Sequence, residues 1–174
     1  MAKEERDSRL LREKRLVFYE QDVDRINRIL EEFQKLAGTK GNILIDKDGH
    51  LITRVGVTES YDLPTVSALV AGSFAATREM ARLLGEKEFS VLFHQGARDN
   101  IQLALIGDRT ILATIFDNST TIGMVRLYTK DAASKLEKVF NEIAGRKEEV
   151  FGGQELDAGF GDQLKGKLDD FFGE

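Results

Sequence analysis

Leu63–Leu84, LPTVSALVAGSFAATREMARLL, is the stretch whose reading decides the fold. No charged residue occurs from Leu63 to Thr77, in a chain that is 32% charged. Asp62 stands where a helix N-cap belongs, Pro64 is tolerated in a first turn, and Gly85 follows as a stop. Tyr61 and Val66 occupy the positions of a hydrophobic staple. At helical spacing Leu63, Val66, Val70, Phe74, Thr77, Ala81 and Leu84 form one stripe, the face expected to pack on a sheet. The opposite side carries Ala68, Ala71, Gly72 and Ala75 and turns charged only at Glu79 and Arg82. Side chains this small let another backbone come close. A buried central helix and a partner-docking helix both fit the pattern.

Upstream, Asp22 to Ala37 places Val23, Ile26, Ile29, Leu30, Phe33 and Leu36 at helical spacing. Asp22, Arg25, Arg28, Glu32 and Lys35 make its solvent face, and Gly38 ends it. Asn42–Asp46 and His50–Val55 are two short strands joined through Asp48-Gly49, a strong hairpin signal. Downstream, Phe89–Gln95, Asn100–Ile106 and Thr110–Phe116 are three more strands separated by the turns at Gly96 and Gly107. In Ile101–Leu105 and Ile111–Ile115 apolar residues alternate with smaller or polar ones, the pattern of a sheet covered on one face. A last helix capped by Ser119 or Thr120 runs through Ala144, with Ile122, Val125, Ala132, Leu136 and Ile143 on its stripe.

The order α-ββ-α-βββ-α predicts an α+β fold with one five-stranded antiparallel sheet and three helices. One sheet face would take the first and last helices and the other the central helix. Nothing in the single chain then remains to cover Ala68, Ala71, Gly72 and Ala75, a problem that a homodimer seating a partner would solve. Residues 1–15 form a charged N-terminal tail, 16–145 the domain and 146–174 an acidic, glycine-rich tail. In that tail Leu156, Phe160, Leu164, Leu168, Phe171 and Phe172 recur at near-helical spacing. A segment that orders on binding and a helix packed back on its own domain both explain it.

Composition removes several classes of function. Cysteine is absent, which excludes disulfides and thiolate metal sites and fits a reducing compartment. No apolar run approaches the roughly 18 residues of a membrane span, and the first residues lack a signal-peptide core, so a cytoplasmic protein with no membrane insertion is expected. The net charge of −5 argues against nucleic acid as the main partner. Asp46-Lys47-Asp48-Gly49 opens like a calcium loop, but Leu51–Val57 supplies none of the further ligands, so the turn reading prevails. His50 and His94 have no paired spacing for zinc. The glycine-rich stretches at 38–41 and 152–161 lack the phosphate-cradling pattern, and Gly166-Lys167 is followed by Leu168. No cofactor and no catalytic constellation are expected.

ILIDKDGHLI (43–52), LVAGSFAAT (69–77), ARLLGEKEF (81–89), FHQGARDN (93–100) and ILATIFDNSTTIGMVRL (111–127), in this order and spacing, resemble a Roadblock/dynein-light-chain domain. The similarity is to the bacterial gliding-motility branch of that family, whose members work with a small Ras-like GTPase. It covers about residues 16–144, and the AG-x-x-AA helix, LLGE and FHQG are its more specific parts. The resemblance implies a homodimer with sheets joined edge to edge and central helices side by side. It implies that the GTP-bound GTPase sits across those helices, on Ala68, Ala71, Gly72, Ala75 and Glu79. It further implies stimulated hydrolysis without an inserted arginine, so Arg78 and Arg82 are not expected to act as fingers. A C-terminal helix bearing Leu164, Leu168, Phe171 and Phe172 would touch the GTPase near its nucleotide. The chain departs from the family's pattern in its long charged N-terminus and in the charged pair Arg78-Glu79.

Two other readings stand beside this one. A scaffold of the same fold would bind a GTPase or another Roadblock chain without changing turnover. A profilin-like or sensory module would bind a small ligand between helix and sheet and need a polar-lined pocket, whereas the core stripes offer few buried polar groups.

Overall fold

The computed structural model describes residues 16–152, with the side chains of residues 16–146. The chain divides into two compact units. Tyr19–Val139 makes up one, and Met1–Phe18 with Phe140–Glu174 makes up the other.

The larger unit begins with helix α1, Glu20–Ala37. Its start lies before Asp22, which is buried rather than solvent-facing because its carboxylate accepts the Tyr19 amide hydrogen at 3.0 Å and caps the first turn. Ile26, Leu30, Phe33 and Ala37 form the buried stripe. Gly38 ends the helix at φ +69°, a conformation that disfavours side chains, with its N–H on the Gln34 carbonyl. Strands β1, Gly41–Asp46, and β2, Leu51–Gly56, form the expected hairpin. Helix α2, Leu63–Leu83, is capped by Asp62, whose carboxylate accepts from the Thr65 amide at 3.3 Å. Strands β3, Val91–Gln95, β4, Asn100–Ile106, and β5, Thr110–Phe116, follow as a meander. Helix α3 then runs over Ile122–Gly152, well past Ala144.

The sheet order is β2-β1-β5-β4-β3, antiparallel throughout, with β1 paired to β5 in the middle and β3 on an edge. Ile43, Ile45, Leu103, Ile111, Ala113 and Ile115 share one face and pack on Leu63, Val70 and Phe74 of α2. Tyr61 and Val66, the staple pair, join the same cluster. Burying a side chain the size of Phe74 is worth roughly 2 kcal/mol, so this cluster is what holds α2 on the sheet. The other face carries Asn42, Leu44, Gln102, Leu112 and Thr114, in register with one another. There α1 binds β2 through Thr53 Oγ1, which donates to Asn27 Oδ1 at 2.6 Å, and α3 sits on β4, where Gln102 Nε2 donates to Thr129 Oγ1 at 2.8 Å.

Every residue of β5 is buried. The alternation along β4 and β5 therefore does not mark a solvated face: Gln102 and Thr114 lie beneath helices. The expectation of few buried polar groups also fails, since Asn42, Gln102 and Thr114 are each 0% exposed. Leu84, placed on the packing stripe by its spacing, is exposed because α2 stops one residue before it. Of the smaller unit, Phe18 and Phe140 meet edge to face with ring centroids 6.1 Å apart. The N-terminal tail of residues 1–15 lies outside the described residues.

The β1–β2 turn is seated on α2. Asp46 Oδ1 accepts the amide hydrogens of Asp48 at 3.0 Å and His50 at 2.9 Å, which commits this carboxylate to the turn. Gly49, at φ +91°, places its Cα so close to α2 that a Cβ would stand 3.2 Å from Ala68 Cα and 3.5 Å from Ala71 Cβ. Gly49→Val is thus expected to cost about 2 kcal/mol or more, combining left-handed strain with a backbone contact. An unchanged urea midpoint for this variant would refute the seating.

Candidate partner interface

The outer side of α2 carries two adjacent rows at helical spacing. Ala68, Gly72, Ala75 and Glu79 form one row, and all four are exposed. Ala71, the remaining member of the expected platform, is buried at 8% exposure because the turn at Gly49 lies over it. Half of the bareness at that end of the helix thus serves the chain's own hairpin. Leu69, Ala76, Met80 and Leu83 form the second row, with Leu69 67%, Met80 53% and Leu83 72% exposed. Sequence periodicity did not single these out. The signal was present as large apolar side chains off the packing stripe, which a sheet-facing helix has no use for.

Charge is confined to the C-terminal end of this surface. Arg82 Nε donates to Glu79 Oε1 at 3.0 Å, and Arg78 lies 3.2 Å from Glu88 in the segment leading to β3. The hydrogen bond from Arg82 holds the Glu79 carboxyl below the usual carboxylate range and raises the Arg82 guanidinium. Both arginines are therefore engaged by carboxylates of their own chain.

Strand β3 follows the segment that carries Glu88. Among the described residues it pairs only with β4, and Val91, Phe93, His94 and Gln95 are all exposed. Phe93 stacks on Phe116 at 6.1 Å, which keeps the strand on the sheet. At the far end of β3 the turn is tied down by Lys40, whose ammonium is 2.8 Å from Asp99 and 4.0 Å from Asp117. The hydrogen bond to Asp99 is the main reason that the Lys40 ammonium titrates above its ordinary value. Hydrogen bonds from Ser119 lower the Asp117 carboxyl. Among the described residues no cluster of three His, Asp or Glu side chains could hold a metal ion, and no helix is long and apolar enough to cross a membrane.

Residues 25–116 match the family model for the Roadblock/LC7 domain. The chain belongs to the Roadblock/LC7 family. Within that family it is an MglB-like member. It is 40% identical to Myxococcus xanthus MglB, with a TM-score of 0.69 over 74% of this chain and 96% of that one. The gliding protein MglB from Thermus thermophilus is 32% identical, with a TM-score of 0.68 over 73% and 96%. An MglB with a tetrameric arrangement is likewise 32% identical, with a TM-score of 0.70 over 74% and 96%. The Roadblock match runs from within α1 to the end of β5 and so contains both rows of α2 and the β3 edge. Leu164, Leu168, Phe171 and Phe172 lie outside the described residues.

The Arg82–Glu79 pair gives a titration that can be checked. A depressed carboxyl contributes stability above its unfolded pKa and loses it as pH falls through the folded one, so the pair is intact at neutral pH. Arg82→Ala is expected to return the Glu79 titration upward toward the ordinary carboxylate range. Carboxyl-carbon NMR across the acid limb reads this directly, and an unmoved midpoint would remove Arg82 as the cause.

Proposed function

We propose that this Roadblock chain is a cytoplasmic homodimeric regulator of a small Ras-like GTPase, binding the GTP-bound form and speeding its hydrolysis without lending an arginine. The observation that carries the reading is the outer side of α2. It is bare at Ala68, Gly72 and Ala75, while Arg78 and Arg82 are engaged by Glu88 and Glu79. A phosphoryl-transfer partner can be accelerated by positioning its own catalytic loops, because charge placement dominates that chemistry. A flat, small-residue helix face suits such a role, since it presses on a partner's backbone without reaching into its nucleotide site. The protein then acts as a regulator and carries no catalytic residues of its own. By likeness to the gliding protein MglB, cell polarity or motility is the process proposed.

Self-association follows from the same surface. The outer edge of β3, unpaired among the described residues, offers a row of backbone donors and acceptors, and Leu69, Met80 and Leu83 of α2 would be covered by the same row of a second copy. The tetrameric arrangement of a related MglB supports association between copies. Leu164, Leu168, Phe171 and Phe172 are proposed as a second contact with the GTPase.

Hydrolysis of GTP by the Ras-like GTPase of the same organism, with and without this protein, tests the reading. Stimulation of roughly tenfold, about 1.4 kcal/mol off the barrier, is the expected result. Binding without stimulation would leave a scaffold of the same fold. Arg78→Ala and Arg82→Ala should each stay within about twofold of the parent, since loss of a true arginine finger costs on the order of a thousandfold. Ala75→Arg should abolish GTPase binding while light scattering still reports a dimer, because a long charged side chain blocks close approach. Normal binding by that variant would move the interface elsewhere.

A further inference from the structure

Asn42 on β1, Thr114 on β5 and Gln102 on β4 form one row across the middle of the sheet. Asn42 pairs in register with Thr114, and Thr114 with Gln102. All three are 0% exposed and lie on the face that α1 and α3 cover. Asn42 Oδ1, Thr114 Oγ1 and Gln102 Oε1 have no hydrogen-bond partner among the described residues. Native interiors rarely leave one such atom unpaired, and here three stand side by side.

The neighbouring bonds decide which atoms face the row. Thr129 donates its one hydroxyl hydrogen to the Val125 carbonyl at 2.7 Å. Its oxygen can therefore only accept from Gln102, at 2.8 Å, so the amide nitrogen points at Thr129 and the amide oxygen is left over. Asn42 Nδ2 is used likewise on Thr39 Oγ1 at 3.0 Å. Threonine is the short member of the row, between two longer amides. It sits on β5, beneath the seam between α1, which packs on β1 and β2, and α3, which packs on β4.

We propose that this row binds one internal water molecule above Thr114. The water donates one hydrogen to Asn42 Oδ1 and one to Gln102 Oε1, and accepts the hydrogen of the Thr114 hydroxyl. Two acceptors and one donor match its valences, and three polar partners are what buried waters ordinarily have. Were the Asn42 amide reversed, the water would accept from its nitrogen instead, so the match survives either orientation. A monovalent cation would satisfy the two amide oxygens but leave the Thr114 hydrogen without an acceptor.

A high-resolution crystal structure of the full chain tests this first. The expected result is one solvent peak about 2.8 Å from all three atoms. Direct Thr114–amide hydrogen bonds with no peak would overturn it, as would a peak at cation distances of about 2.4 Å. Thr114→Val keeps the shape and removes the hydroxyl. It should lower the folding equilibrium constant by about tenfold or more, whereas Thr114→Ser keeps the solvent peak. A valine variant as stable as the parent would sink the proposal. If that variant does not fold, magnetisation transfer from water to the side-chain amides of Asn42 and Gln102 in the parent decides, and its absence at both overturns the site.

Discussion

A helix of 21 residues offers roughly 30 Å of surface to be covered, and α2 gives one side of it to the sheet through Leu63, Val70 and Phe74. That one-sided packing sets what the rest of the molecule can do. The sheet must be apolar beneath α2, and it is so at Ile43, Ile45, Ile111 and Ile115. The hairpin β1–β2 must find a position beside the helix, and its turn does so at Gly49, against Ala68 and Ala71. What remains of α2 is a strip of alanine and glycine next to a strip of leucine and methionine. The first suits close approach, the second burial, and they run side by side along one helix. Among the described residues neither strip is covered.

The opposite sheet face works under a different constraint. Because α1 and α3 close over it, every polar atom there must be matched within the layer or by solvent trapped in it. Thr53 with Asn27 and Gln102 with Thr129 are direct matches, and they fix each helix to a particular strand. Apolar contacts slide at little cost, whereas a hydrogen bond of 2.6 or 2.8 Å does not, so these two pairs set the register of α1 and α3 on the sheet. The surface ion pairs contribute less: Lys40 with Asp99 is exposed, where water and salt screen the attraction. Its value is geometric, since it joins the ends of β1, β4 and β5.

Most of the fold was legible in the residues. Asp62, Pro64 and Gly85 bracket α2, Asp48-Gly49 marks the hairpin, and the five strands are found within about two residues of their expected ends. The two-sided cover of the sheet follows from the order of the elements, but the pattern inside β4 and β5 points the other way. Gln102 and Thr114 alternate with apolar neighbours as they would on a solvated face, and only the arrival of α3 at Thr129 turns them inward. Leu69, Met80 and Leu83 escaped because composition alone does not tell an apolar side chain that enters the core from one left exposed. Ala71 was assigned outward because its cover, the turn at Gly49, arrives from a distant part of the sequence. Legibility failed wherever the deciding contact was non-local.

The sheet order also has a consequence for how the chain comes together. β1 and β2 are complete as a hairpin early in the sequence, yet β1 finds its second neighbour only in β5, through pairs such as Gly41 with Ile115. Two local pieces, a two-stranded ribbon and a three-stranded meander, form from short-range contacts and then zip along one seam. Closing that seam carries the chain entropy of everything between Gly41 and Ile115, including α2. The apolar side of α2 packs on Ile43 and Ile45 of β1, which precede it in the chain, but its cover is completed only by Ile111, Ala113 and Ile115 of the last strand. The slow step of folding is therefore expected to be β1–β5 closure, with the middle of the sheet assembled last and the two edges first.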